Sequence, residues 1–503
     1  MTLTTTDPRT GEVRATDIEV STDADVGAVV AAAGAAFDDL RWTSRAWRAG
    51  LLEALATALE EHRDELVAIA DRETGLGVPR LTGEVGRSAF QFRLFAEALR
   101  DGGYVEATID HAGDTPIGPG PDLRRMLIPI GPIAVFGSSN FPFAFSVAGG
   151  DTASALAAGN AVVVKSHGSH PETSAATHGA LSAAARAHGA PTGALGIVFG
   201  TGAGRALVAE PRVAAVGFTG SLDGGRALLA IIEQRPEPIP FYGELSSLNP
   251  LVVTPGAARE RGDAIADALF GSFTLGSGQF CTKPGVAFVP YGEGDGIVAG
   301  LAARAAAAPS QVLLNARIST SFGEIRARLV DQGGARVVGI GRDDEAEGFR
   351  ATPTVLEIDA ADVTPDVTEE AFGPLIVVAR YRDTADILRA LDAVPDSLTA
   401  TIHSEAAEGE LTDELVRELV PRAGRIVFNG YPTGVRVSWA QHHGGTWPST
   451  NSQHTSVGVS AIRRFLRPVA FQDAPAHALP EELRDGPSDV PRRVDGVLTL
   501  PTV

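Results

Sequence analysis

Ile133-Ala134-Val135-Phe136-Gly137-Ser138-Ser139-Asn140-Phe141-Pro142 is a continuous apolar run that ends abruptly in glycine, small polar residues and proline. Such a run, bounded by turn formers, reads as a strand buried on both faces. The same pattern recurs around it. Strand candidates at Met126–Ile130, Ala161–Val164, Leu195–Phe199 and Val213–Phe218 alternate with helix candidates at Phe145–Ala158, Glu172–His188 and Leu222–Glu233. Strands separated by whole helices predict parallel pairing, because parallel neighbours need a crossover. A second set follows, with helices at Ala258–Phe273, Ile297–Ala307, Ser319–Asp331, Thr384–Ala393 and Glu410–Val420. Its strands are expected at Val286–Val289, Arg336–Ile340, Leu375–Ala379, Leu398–His403 and Arg425–Phe428. The expected fold class is therefore α/β, with two doubly wound halves meeting near residue 243. Residues 24–102 carry apolar residues at helical spacing, as in Leu51, Leu55 and Leu59. Residues 103–123 are rich in glycine and proline around a Tyr104–Ile109 strand candidate and read as a loop or arm. Arg492–Leu500 reads as one terminal strand.

Length and charge narrow the function. A chain of 503 residues exceeds the roughly 250–300 at which single cores stop growing, so two or more domains are expected. A formal charge of −20 argues against nucleic acid and anionic membrane as partners, since both select basic clusters. The first twenty residues lack the basic and apolar regions of a signal peptide. No apolar stretch is long enough to span a bilayer. One cysteine excludes an internal disulfide and suits a reducing compartment, so the cytoplasm is expected.

That single cysteine lies in Gly276-Ser277-Gly278-Gln279-Phe280-Cys281-Thr282-Lys283-Pro284. A free cysteine can be a small core residue. Here small residues before it permit close backbone approach and Pro284 ends any helix, which favours a site loop and a nucleophile. Asn140, in the turn after a buried strand, offers amide donors suited to an oxyanion. Lys165 ends the Val162-Val163-Val164 run and is one of only two lysines, with Lys283, beside 40 arginines. A retained lysine there suggests a compact cation for an anion or ribose. His167 and His170 have H-x-x-H spacing without a nearby carboxylate or cysteine, so no metal is expected. Gly200-Thr201-Gly202-Ala203-Gly204-Arg205 misplaces the third glycine of a dinucleotide fingerprint. Gly217-Phe218-Thr219-Gly220-Ser221 also passes from strand to helix, and its backbone N–H groups could receive phosphate. Glu244, between glycine and small residues, is a candidate base for water.

These residues, with Glu370-Ala371-Phe372-Gly373-Pro374, occur in an order that resembles the aldehyde dehydrogenase superfamily over roughly residues 5–500. Phe428-Asn429-Gly430-Tyr431-Pro432, His443-Gly444-Gly445, Thr455-Ser456-Val457-Gly458 and Arg464-Phe465-Leu466-Arg467-Pro468 resemble its 2-oxoglutarate semialdehyde (2,5-dioxopentanoate) dehydrogenase branch, near relatives of NADP-using fatty aldehyde dehydrogenases. The resemblance implies Cys281 as nucleophile, Asn140 and the Cys281 N–H as oxyanion donors, and Glu244 as base for thioester hydrolysis. It leaves open which group activates the thiol. It implies cofactor contacts by Lys165, Gly168, Gly217, Gly220, Ser221, Glu370 and Phe372, with NADP used at least as well as NAD, since Gly168 stands where NAD-preferring members often carry glutamate. His167, His170 and Arg205 are expected to favour the extra phosphate. A 2-oxo-acid aldehyde needs a cation, for which Arg93 is the candidate, with Gln91 on the same helix beside the substrate tunnel.

The implied division is 1–104 and 124–243 for cofactor binding, 244–440 for catalysis, and 105–123 with 468–503 as oligomerisation arm and terminal strand. A homodimer or homotetramer follows from that arm. The alternatives are a fatty or other aliphatic aldehyde dehydrogenase, a non-catalytic binding relative, and acyl transfer to coenzyme A in place of hydrolysis.

Overall fold

The computed structural model describes residues 1–344 and 346–501; residues 502 and 503, the end of the expected 468–503 stretch, lie outside the described residues. Five strands form an all-parallel sheet in the order Phe241–Glu244, Ala215–Thr219, Ile133–Phe136, Val162–Lys165, Leu195–Val198. Val162, Val163 and Val164 are fully buried, as expected for a sheet covered by helices on both faces. Those helices include Asp23–Leu40, Gly150–Ala158, Pro171–His188, Thr201–Ala209 and Leu222–Glu233.

A second sheet has seven strands in the order Arg336–Ile340, Thr354–Asp359, Leu375–Tyr381, Val286–Pro290, Leu251–Val253, Ser397–His403, Ala423–Phe428. Only the edge strand Arg336–Ile340 runs antiparallel. The two parallel sheets bear out the expected α/β class. Met126–Ile130 is corrected, however. Leu123–Pro129 belongs to neither parallel sheet but pairs antiparallel with Leu466–Gln472 in a separate five-stranded sheet. Apolar runs alone cannot say which sheet a strand joins. That third sheet also contains Ala107–Asp110 and a terminal hairpin, Arg492–Val494 with Val497–Thr499. The expected single strand Arg492–Leu500 is thus two, broken at Asp495 and Gly496, both in left-handed backbone. Phe145–Ala158 is shortened, since the helix starts at Gly150. The N-terminal hairpin Thr2–Thr6 with Val13–Glu19 was not foreseen.

Residues 24–102 form four helices, of which Val78–Asp101 positions the site. Pro79 in its first turn and Gly102 in left-handed conformation define its ends. Leu81, Val85, Ala89, Phe92, Phe95 and Leu99 form its buried stripe, and the fully buried Phe92 ring contributes about 2–3 kcal/mol. Among the described residues no helix is long and apolar enough to cross a membrane.

Candidate active site

The helix Pro255–Thr274 stops just short of the cysteine, and Gly276, Ser277 and Gly278 all take left-handed backbone (φ 56°, 59° and 67°). A β-carbon on Gly278 would lie 2.2 Å from the Gly373 carbonyl oxygen. Glycine there is what lets the cysteine loop touch the Glu370–Pro374 turn. The loop is then fixed from both sides. Gln279 accepts from Leu314 N–H at 2.9 Å, and the Asn249 amide donates to the carbonyls of Cys281 and Lys283 at 2.8 and 2.9 Å.

Two buried side chains reach the thiol from elsewhere. His443 Nε2 stands 3.6 Å from Cys281 Sγ and 2.9 Å from Glu244 Oε1. Ser456 Oγ donates to the other Glu244 oxygen at 2.6 Å. Burial pushes the Glu244 carboxyl up, but the neighbouring His443 and the hydrogen bonds from His443 and Ser456 prevail and hold it down at about 2. Glu244 is therefore an anion at neutral pH. Burial pushes the Cys281 thiol well above its ordinary value, and the Glu244 and Glu370 carboxylates push it further. The resting thiol keeps its proton, so attack needs an acceptor within reach. His443 and Glu244 are both in place. The three donor atoms lie within 4.8 Å of one another, a spacing a metal ion could also bridge. The hydrogen bonds that link them account for the cluster as a proton path.

Asn140 is brought to the same point. Its Nδ2 donates to the Gln279 carbonyl, two residues before Cys281, at 2.9 Å, and its own carbonyl accepts from Arg80 Nη2 at 2.7 Å. Glu84, one helical turn after Arg80, accepts from Phe143 and Ala144 N–H at 2.8 and 3.0 Å. The helix Val78–Asp101 thus holds the asparagine turn against the cysteine loop.

The rare Lys283 is fully buried and donates to the carbonyls of Ala371 and Leu375 at 2.9 and 3.0 Å. It clamps the Glu370–Pro374 turn onto the cysteine loop. Glu370 accepts from Ser247 N–H at 3.1 Å. Burial pushes its carboxyl up and the Lys283 ammonium down, while their mutual attraction opposes both shifts. Phe372, half-buried, rides on the same turn.

The remaining residues expected to hold a cofactor line the carboxyl end of the five-stranded sheet. The Lys165 ammonium makes no hydrogen bond or ion pair among the described residues, and a β-carbon at Gly168 would meet open space. Ser221 caps the helix Leu222–Glu233, accepting from Gly224 N–H at 3.2 Å. Gly220 N–H donates to the Glu244 carbonyl at 3.0 Å. A β-carbon on Gly217 would strike the Asp151 carboxylate, which pairs with Arg464, so this glycine makes room for a neighbouring helix. A cavity of about 480 Å³ lies beside this helix start, lined by Leu222, Gln332, Thr368, Glu369 and Pro448 among others. An open position beside a free lysine, and a cavity between the helix start and the Glu370 turn, fit a dinucleotide. His167 and His170 are a correction. Burial pushes both rings below their ordinary value, and His170 is spent on Ser138 O and Ser174 Oγ. Burial thus disfavours the charged form on which the expected phosphate preference relied.

Arg93 is the second correction. Its guanidinium grips Glu60 at 2.5 and 2.7 Å on an exposed helix face. Gln91 is buried, with Nε2 directed to the Ala144 carbonyl. Two residues apart on a helix, these side chains point some 200° apart, so one tunnel cannot receive both. Sequence reasoning missed His443 as the side chain between Cys281 and Glu244, although His443-Gly444-Gly445 and Thr455-Ser456 were recognisable motifs. It also missed Arg80, Glu84 and Arg87, which recur at helical spacing on one face and carried a readable signal.

The fold and this cluster define a cysteine-based dinucleotide enzyme, and comparison narrows the class. Residues 1–468 match the Aldehyde dehydrogenase family, and the chain belongs to it. It is an oxidoreductase of the NAD(P)-dependent, aldehyde-oxidising kind. It is 44% identical over 505 residues to alpha-ketoglutaric semialdehyde dehydrogenase 2 of Azospirillum brasilense, covering 98% of this chain and 96% of that one. It is 41% identical over 476 residues to alpha-ketoglutaric semialdehyde dehydrogenase of Acinetobacter baylyi, covering 93% and 90%. Aldehyde Dehydrogenase C of Pseudomonas syringae, crystallised with NAD+ and octanal, shares the fold with a TM-score of 0.81 at 23% identity, over 95% of this chain and 94% of that one.

Proposed function

We propose that this enzyme oxidises 2-oxoglutarate semialdehyde (2,5-dioxopentanoate) to 2-oxoglutarate, using NADP at least as well as NAD. The observation that carries the chemistry is the Cys281–His443–Glu244 cluster; the names and high identity of the two bacterial relatives support the substrate. Cys281 Sγ attacks the aldehyde carbon while its proton passes toward Glu244 through His443 Nε2, which gives its own proton to the carboxylate as it takes the thiol's, and Glu244 releases that proton before the water step. Asn140 Nδ2 and the Cys281 N–H hold the oxygen as it becomes an anion. A bound nicotinamide, held by Glu370 and Phe372, would supply the hydride acceptor for that carbon, and Cys281 keeps the resulting acyl group as a thioester. Glu244 then takes a proton from water as the water oxygen attacks the thioester carbon. The C–S bond breaks, the sulfur recovers its proton, and the acid leaves.

Lys165, Gly168, Gly220 and Ser221 hold the adenosine and phosphate end, while Glu370 and Phe372 hold the nicotinamide ribose and ring. The phosphate preference rests on Lys165 being uncommitted, on open space at Gly168, on Arg205 exposed nearby, and on the lack of any acid between Lys165 and Pro171. A carboxylate there would repel a 2′-phosphate. Residues 1–104 and 124–243 are the cofactor unit and 244–440 the catalytic unit. Residues 105–123 and 468–503 form the surface of a homodimer or homotetramer, for which the exposed Ile117, Val497 and Leu498 are suited. The cytoplasm is the proposed compartment. An aldehyde panel with both cofactors tests this, with Cys281→Ser as control. 2-Oxoglutarate semialdehyde should give the highest kcat/KM. Turnover confined to long alkyl aldehydes, or a large preference for NAD, would sink the corresponding half of the reading.

A further inference from the structure

Arginine donors without partners are rare inside proteins, because a buried N–H that loses water and gains nothing is costly. Arg87 has two. Its Nε and Nη2 are both shielded from solvent and unpartnered. These nitrogens share one edge of the guanidinium plane, the fork that receives both oxygens of a carboxylate side-on. The charge stands over the rings of Phe141 and Phe145, at 5.6 and 5.2 Å from their centroids. Phe141 follows Asn140, and the Phe145 ring lies 6.4 Å from that of His443. Arg87 is thus on the wall of the chamber that holds Cys281, close enough for its charge to be felt at both Cys281 and Glu244.

The other charged groups facing this space leave the fork free. Glu84 spends one oxygen on the Phe143 and Ala144 N–H groups, and its second oxygen has no partner, so it does not reach Arg87. Arg80 is tied through Nη2 to the Asn140 carbonyl, and its single unpartnered nitrogen, Nη1, leaves it no free Nε–Nη2 edge. Arg425, in the edge strand Ala423–Phe428 of the seven-stranded sheet, also acts by its charge on Cys281, but both its Nη atoms are held by the carbonyls of Gly434 and Pro432. It adds positive field without offering a fork. Two phenylalanine faces, an uncommitted guanidinium edge and a second cation describe a slot for a short chain ending in an anion.

We propose that Arg87 is the anchor for the substrate's carboxylate, its Nε–Nη2 edge gripping the acid end while the aldehyde end lies at Cys281. The assignment rests on the reading of a carboxylated aldehyde as substrate and replaces Arg93 in that role. It makes selectivity for acid-bearing aldehydes a property of the helix Val78–Asp101.

The test compares the full-length enzyme with Arg87→Gln and Arg87→Lys on 2-oxoglutarate semialdehyde and on pentanal, which has the same carbon count and no carboxylate. Inhibition by the product 2-oxoglutarate is measured alongside. Arg87→Gln should raise KM for the semialdehyde and Ki for 2-oxoglutarate by about 100-fold, with kcat changing far less. The preference for semialdehyde over pentanal should collapse by the same factor. Arg87→Lys, which keeps the charge and loses the fork, should lose about 10-fold. Equal losses on both aldehydes, or no change in either, would overturn the anchor and assign Arg87 to the thiol or to the fold. Should the glutamine variant fail to fold, the lysine variant decides, and an unchanged Ki for 2-oxoglutarate overturns the proposal. A wild-type enzyme that prefers pentanal would defeat the substrate reading itself, separately from any variant.

Discussion

The two parallel sheets present their chemistry at opposite ends. In the five-stranded sheet, Asn140, Lys165, Ser221 and Glu244 all follow or end their strands, at the carboxyl edge where doubly wound folds bind ligands. In the seven-stranded sheet, Asn249, Cys281 and Glu370 all precede theirs, at the amino edge. The carboxyl edge of that second sheet is filled by the protein itself. Glu408 accepts from Gly256 N–H at 2.6 Å and from Thr254 Oγ1 at 2.5 Å, occupying the start of the helix Pro255–Thr274 where an anionic ligand would sit. In the proposed reading one sheet takes the cofactor at its usual end, whereas the other has closed that end and turned its opposite edge to the thiol. The usual rule for such sheets therefore finds only half of this active site.

Four substitutions probe that contrast, in order of expected effect. His443 belongs to neither sheet and links the two edges, so His443→Asn should lower kcat by about 100-fold or more. A small effect would mean that the thiol proton reaches Glu244 without passing through His443. Lys283→Met removes the buried cation that clamps two carbonyls at the amino edge. It should cost about 2–4 kcal/mol in denaturant unfolding and raise cofactor KM, since the Glu370 turn loses its tether.

Glu408→Gln tests the closed edge. It should cost about 1–2 kcal/mol and leave kcat/KM unchanged, because no chemistry occurs there. Burial works against it, but hydrogen bonds from Thr254 and from the N–H groups of Glu405, Gly256 and Ala257 hold the Glu408 carboxyl below its ordinary value. Its stabilisation is then complete above the unfolded carboxyl value of about 4.3 and is lost as pH falls below it. Wild type should lose that increment on acidification and the variant should not. A kinetic defect in Glu408→Gln would break the comparison. Arg93→Ala should change stability by about 0.5 kcal/mol or less and leave semialdehyde KM as it was, since an exposed pair with Glu60 is all that is removed.

Local features were legible in the sequence. The strand–turn stretches around Asn140 and Lys165, and the glycines before Cys281, announce themselves within ten residues because backbone shape is set locally. The parts that were missed depend on distance or on side-chain direction. His443 lies 199 residues from Glu244 and 162 from Cys281 in the chain, and nothing local marks a contact that only the folded halves create. Lys283 looked special for its rarity, but its work is structural and visible only when the Ala371 and Leu375 carbonyls are beside it. Arg93 lies on the outer face of its helix, held by Glu60, whereas the spacing of Arg80, Glu84, Arg87 and Gln91 marks the inner one.

The central claim is that both edges act on one sulfur, with Glu244 serving the water step after hydride has left. The direct measurement is the intact mass of Glu244→Gln, quenched in acid after mixing with aldehyde and oxidised cofactor. The account predicts an acyl adduct on Cys281, formed with a burst of reduced cofactor and cleared at least about 100-fold more slowly than in wild type. An unmodified Cys281 together with unimpaired turnover would contradict it.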